Sequence, residues 1–458
     1  MNSKRLARLC LERLENRLVP SLAVKTIGNT LVVSGTPVGT PGLVVTETAR
    51  NTFQVMDGAS NLGTFANIVN VDLNLTDHQN KSVNFNLNGN TLTGNLIINE
   101  GKGDTTSSAA NGTGVFGGKI GGSLAVVGGS GEEELVPGFQ VTASPPFAVA
   151  KGLSVGGDII FNARSNPSAS AFNVLDTGIL LGAGAPTVTV GGRIRTTFVD
   201  AMGIGQNTTI GASLTYTAAA GEQSGFLGIA GTVGGSVRAI FGNGAAGNTL
   251  DLTATGNIGG LLARMGNGPA TVLLEAGSKI GISADIGSGS GNDTFTISGQ
   301  ISGNARFSGG QGTDTITFQA GAKVFGNLTV ADGSGKDSIT LDGAVGGNMT
   351  ISLGSGNDTV TIGNAPGGLL SWHSGSGNDT VTLGDATNAA GETWIVKMRF
   401  GSGHDTLTLA GNGTVATPEA LTGLIDMGGP LGGNTFDPTG SRAAGTWVTV
   451  QPFTLLHI

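Results

Sequence analysis

The amino-acid sequence predicts an all-β chain, a right-handed parallel β-helix (β-solenoid) with roughly 21–23-residue coils. Three observations predict it. The first is a phrase, G-x-G-x-D-[T/S]-φ with φ apolar, that occurs six times: GSGNDTF from Gly289, GQGTDTI from Gly310, GSGKDSI from Gly333, GSGNDTV from Gly354 and again from Gly375, and GSGHDTL from Gly401. Its aspartates, Asp293, Asp314, Asp337, Asp358, Asp379 and Asp405, are separated by 21, 23, 21, 21 and 26 residues. Such a period belongs to stacked repeats, not to one closed core. The second is a phrase G-x-φ-x-φ, as in GNLTV (326–330) and GNMTI (347–351), which follows the Thr or Ser of the first phrase by 9 to 11 residues. The third is glycine: 82 of 458 residues, where ordinary chains carry about 7%, so turns recur every few residues.

Within one coil the reading is two or three strands of four to five residues. In DTVTI (358–362), Val360 and Ile362 face one way and Thr359 and Thr361 the other, because strand side chains alternate. The apolar side of one coil is too small to bury itself. It needs the next coil, about 4.8 Å away, which also completes its backbone hydrogen bonds.

Composition narrows the class. Charged residues make up 12% and hydrophobic ones 38%, which excludes a disordered polar chain. Abundant Gly, Thr, Val and Ile disfavour helices, and no Gly-every-third pattern indicates collagen. The net charge is −8 and the 23 lysines and arginines are scattered along the sequence, so nucleic acid is not an expected partner. The single cysteine, Cys10, has no intrachain partner for a disulfide. No apolar run approaches the roughly 18 residues of a membrane span.

Four regions follow in order. Residues 1–21 are a basic, leucine-periodic segment that lacks the apolar core of an ordinary secretory signal. Residues 22–180 read as irregular coils with excursions at 100–114 and from Gly128 to Pro146; residues 181–414 are the regular solenoid; residues 415–458 form a C-terminal cap. Leu9 to Ser21, LCLERLENRLVPS, resembles the short N-terminal motif of planctomycete extracellular proteins, with Leu11, Glu12, Leu14, Glu15, Arg17 and Pro20 in place. That resemblance implies export, to the cell surface or beyond. The plain alternative is a basic amphipathic helix that caps the rod or lies on a partner.

The aspartates share one station, so stacking brings neighbouring carboxylates to about 5 Å. Like charges so placed are splayed into solvent, capped by hydrogen bonds, or neutralised by cations. The phrase resembles the nonapeptide of RTX (haemolysin-type) calcium-binding proteins, G-G-x-G-x-D-x-U-x. Gly309 to Thr317 (GGQGTDTIT) matches in full and the other five copies lack only the first glycine. The resemblance implies Ca²⁺, with Asp293, Asp314, Asp337, Asp358, Asp379 and Asp405 as side-chain ligands and Gly291, Gly312, Gly335, Gly356, Gly377 and Gly403 as backbone ligands. RTX coils carry the nonapeptide twice, whereas here the opposite station has no carboxylate. The second open reading is an Asx-turn, each Asp accepting local N–H groups and binding nothing.

The expected function is that of an exported cell-surface or extracellular structural or adhesion solenoid, with an envelope or extracellular polysaccharide or protein as partner. The rival is a carbohydrate-active β-helix, a polysaccharide lyase or hydrolase, with its site between residues 60 and 180. The outward Thr and Ser of the regular coils, and four histidines (His78, His373, His404 and His457) without metal-ligand spacing, leave no visible catalytic group. Clustered acids and bases between Gly94 and Arg195 would favour the enzyme.

Overall fold

The computed structural model describes residues 22–39, 42–76, 82–101, 112–128, 134–141, 148–163, 174–178, 186–218, 224–384, 393–410, 420–426, 435–437, 447–451 and 456–457. The N-terminal segment 1–21 and most of the two excursions lie outside these residues. The described chain is a parallel β-helix. Each regular coil contributes three strands. In one coil these are Thr315–Phe318, Lys323–Val324 and Leu328–Ala331, after which Ser338–Leu341 opens the next. The first strand of every coil stacks into one sheet, and the second and third stack into a long sheet of 28 strands.

Register is strict. Thr315 lies on Ser338, Ser338 on Thr359, Thr359 on Thr380 and Thr380 on Thr406, so hydroxyl residues form an outward column. One residue further on, Ile339, Val360 and Val381 stack inward as a continuous column, each at most 1% exposed. A one-residue slip would exchange these two columns, which is why the alternation fixes the pairing. One apolar cluster runs through the interior from Leu22 to Ile425, and Val136, Phe139 and Val141 form a small second one. Aromatic rings fill its wider parts: Phe307 meets Phe318 edge-on at 5.1 Å, and Trp372 lies 6.0 Å from Phe400. Trp372 and Trp394 are both buried, so they pack the core and present no ring to a ligand.

The ends depart from the parallel pattern. At the N-terminal end Leu22–Ile27 pairs antiparallel with Thr30–Gly35, and Gly42–Ala49 pairs antiparallel with Thr52–Asp57, which pairs so with Ser60–Phe65. Toward the other end, in the region read as a cap, Ala420–Asp426 and Thr435–Asp437 still add parallel pairings. Leu456–His457 then turns back antiparallel on Trp447–Gln451. Both arrangements limit the open strand edges that would otherwise invite pairing with other chains.

Phe307 is fully buried between Phe295 and Phe318. Phe307→Ala is expected to cost about 3–5 kcal/mol, because a rod of stacked strands cannot collapse sideways onto the cavity. Urea denaturation followed by circular dichroism measures it; an unchanged midpoint would contradict the packing described.

Candidate cation site

The site is built on the turn that opens each coil. Glycine is required there: a Cβ on Gly335 would lie 1.4 Å from the carbonyl oxygen of Gly312, and one on Gly356 would lie 1.4 Å from that of Gly335. Gly312, Gly377 and Gly403 also hold φ of 134–140°, a region that side chains rarely adopt. These glycines let turns approach until main chain bonds main chain. Gly335 N–H donates to Ser355 O at 2.9 Å, and Ser355 N–H donates to Gly333 O at 2.9 Å. The carbonyl oxygens of Gly291, Gly312, Gly335, Gly356 and Gly377 each face the next glycine of the column. Gly403 continues that column.

The six aspartates do share one station, but they point inward. All are at most 2% exposed. The alternation explains it: Asp358, Val360 and Ile362 have the same parity, so the carboxylate belongs to the buried side. Each carboxylate reaches across to another coil, and none closes an Asx-turn within its own. Oδ1 of Asp314 accepts the Asp293 N–H at 2.8 Å, Oδ1 of Asp337 that of Asp314 at 2.9 Å, and Oδ1 of Asp358 that of Asp337 at 2.9 Å. Asp379 and Asp405 extend the ladder by bonds of 3.0 and 2.9 Å, and Asp293 starts it on Ala270 N–H at 2.6 Å. One edge of the rod thus carries a chain of charge-assisted bonds.

An asparagine two coils upstream shows what the second oxygen lacks. Asn248, buried at a corresponding turn, uses Oδ1 for the Gly225 N–H at 2.8 Å, and its Nδ2 donates to the carbonyls of Gly242 and Met265 at 2.8 and 2.6 Å. An aspartate has no such donor. The Oδ2 atoms of Asp293, Asp314 and Asp337 are buried without a hydrogen-bond partner. Desolvation therefore dominates their titration. Burial raises Asp293 and Asp337 to about 6, opposed by the N–H groups they accept and reinforced by neighbouring aspartates. Asp314, Asp358 and Asp405 are raised for the same first reason.

At one place these oxygens converge. Ligand oxygens of Asp314, Asp332 and Asp337 lie within 4.8 Å of one another. Asp332 was not among the residues expected from the repeat. It stands just before a G-x-G phrase, where other coils place Met265, Leu353 and Phe400, all buried. One Asp332 oxygen caps Gly333 N–H at 2.9 Å, and the other is buried and meets no donor. Burial first, then the charges of Asp337 and Asp314, push its carboxyl up to about 8. Gly309 makes the room: a Cβ there would lie 2.5 Å from Asp314 Oδ2 and 2.7 Å from Asp332 Oδ1. It is the extra glycine of the one complete nonapeptide. The signal that reveals Asp332 in sequence is an acid at an otherwise apolar or small position.

Three hard oxygens this close can hold a proton or a cation. Two oxygens about 2.4 Å from a shared ion are at most about 4.8 Å apart, so the spacing fits an ion of calcium's size. His373 and His404 are exposed and stand apart from the group. Between Gly94 and Arg195 the described charged residues outside the core are Lys119, Glu134, Lys151, Asp158 held by Arg193 at 3.3 Å, and Arg195. An open recess lined by Arg50, Gly89, Asn90, Thr91 and Thr93 contains no carboxylate. No helix among the described residues is long and apolar enough to cross a membrane. Comparison with known protein families, curated proteins and solved structures found no match.

Proposed function

We propose that the protein is an extracellular or cell-surface rod with a structural or adhesive role, stiffened by Ca²⁺ bound at Asp314, Asp332 and Asp337. The observation that carries this reading is the convergence of three carboxylates, each with one buried oxygen that meets no donor. Calcium prefers oxygen ligands, tolerates irregular geometry and takes six to eight of them, so turn carbonyls and water complete the shell. The other ladder aspartates are secondary candidates, because each already supplies Oδ1 to a neighbouring coil. The outward Thr and Ser column of the first strands supports a structural role over catalysis, since no acid or base interrupts it between Thr294 and Thr406. Export rests on the likeness of residues 9–21 to planctomycete extracellular proteins.

The test is calcium titration of chelator-treated protein at pH 7.5, read by melting temperature and circular dichroism. A ligand at about 100 times its Kd adds about 2.7 kcal/mol, enough to move the melting transition. A rise with Ca²⁺ supports the site. No shift at millimolar Ca²⁺ rejects it.

A further inference from the structure

The basic residues that look scattered in sequence are gathered in space. The long sheet carries Arg195, Arg238, Arg306 and Lys397 in one outward row, linked rung by rung through Thr215, Leu262, Asp285, Thr329, Thr350 and Ser371. A second row, on the short strands, holds Lys279 and Lys323 either side of Gln300. All six cations are exposed. The acids nearby do not cancel them. Asp158, Asp285 and Asp426 are engaged by other arginines: Arg193 at 3.3 Å, Arg264 at 2.8 Å and Arg399 at 3.8 Å. Among the described residues Arg195, Arg238 and Arg306 make no ion pair.

The facing sheet is uncharged on its outward Thr columns, and the ladder aspartates are inside. A chain with net charge −8 therefore presents a positive face.

We propose that this face binds a linear, sparsely charged polyanion: an acidic polysaccharide carrying carboxylates. Spacing carries the choice of polymer. Arg238 to Arg306 is three rungs and Arg306 to Lys397 four, while the shortest gap, shared by Arg195–Arg238 and Lys279–Lys323, is two rungs, about 10 Å at about 4.8 Å per rung. That interval suits a chain whose acidic groups recur every second sugar. Duplex nucleic acid carries a charge every ~1.7 Å of its axis and rewards dense clusters of cations, and single strands call for exposed aromatic platforms. The rows offer no dense cluster and, among the described residues, a single exposed aromatic beside them, Phe325, not a run of platforms. They offer guanidinium forks that pair bidentately with carboxylates, and between them Thr215, Thr329 and Thr350, whose hydroxyls suit sugar hydroxyls. The regular stacking of the rungs lets these contacts add along one polymer chain. The surface is separate from the calcium reading, since its cations are exposed on the outward side of the long sheet, whereas Asp314 and Asp337 are buried at the start of strands of the other sheet.

The test uses the full-length protein and hyaluronate, whose carboxylates recur every second sugar, at 50 mM salt, with the methyl ester of hyaluronate and single-stranded DNA as comparison polymers. The wild type is expected to bind the carboxylated polymer at least tenfold tighter than the ester or the DNA. The triple variant Arg195→Ala, Arg238→Ala, Arg306→Ala is expected to lose at least tenfold, with circular dichroism unchanged because all three side chains are exposed. Lys336→Ala, which removes a charge from the aspartate turn, should bind within twofold of wild type. Failure of the wild type to bind, equal binding by the folded triple variant, an equal loss in Lys336→Ala, or a preference for DNA would each overturn the proposal.

Discussion

Alanine at Gly335 is expected to cost more than the ~0.5–3 kcal/mol typical of single substitutions and to break the rod at the middle of its regular coils. The added Cβ would stand 1.4 Å from the Gly312 carbonyl oxygen. That oxygen belongs to main chain held on both sides, so it cannot swing away as a flexible side chain would. Relief requires the rungs to part. Parting them breaks the Gly312–Ser334 bond of 2.8 Å and weakens the Asp314–Asp337 bond of 2.9 Å beside it. Gly321 is the control, because a Cβ there meets nothing within 4 Å. Urea denaturation and limited proteolysis should show Gly335→Ala cleaved in this region and Gly321→Ala close to wild type. Equal midpoints for all three proteins would refute the glycine column.

Without divalent cations, the wild-type melting temperature is expected to fall as the pH rises from 5 to 9. Burial raises Asp293 and Asp337 to about 6 and Asp332 to about 8, while the unfolded chain titrates near the ordinary value of 3.8. A carboxyl whose pKa is raised on folding contributes stability that is complete below the unfolded value. It is lost as the pH passes through the folded value. The loss therefore spans pH 4 to 8, its upper part belonging to Asp332.

Asp332→Leu puts into this coil the residue found at the same station as Leu353. It should raise the apo melting temperature at pH 8, flatten the decline above pH 6, and abolish the response to calcium. The direction follows from exchanging a desolvated charge for an apolar side chain, a change worth a few kcal/mol when each pKa unit is about 1.4 kcal/mol. Calorimetry at pH 5, 7 and 9 decides it; a wild-type curve flat with pH, or a variant less stable than wild type at pH 8, would contradict the account of this site.

Much of the fold was legible because repetition multiplies weak signals. One G-x-G-x-D phrase says little, but six at nearly one interval fix a coil length, and the Val/Thr alternation then sets the register of Ile339, Val360 and Val381. The aspartates were legible only in part. Their common station follows from the period, and their inward direction was already present in the shared parity of Asp358, Val360 and Ile362. Leaving open whether they splay into solvent, are capped or hold cations gave weight to the turn over the strand that follows it. Asp332 was hidden for the opposite reason: a residue that occurs once at its station has no copies to draw notice. The arginine rows escaped because Arg195, Arg238 and Arg306 are far apart in sequence and meet only through stacking.

The carboxylate ladder has a direction. From Asp293 to Asp379, each aspartate N–H is satisfied by the coil that comes after it in the chain, not by the one before. A polypeptide emerging N-terminus first would therefore always hold its newest coil with one inner amide bare until the following coil closes over it. Assembly would run like a zip with a single slider, and the leading edge at any moment would be the most easily reversed part of the structure.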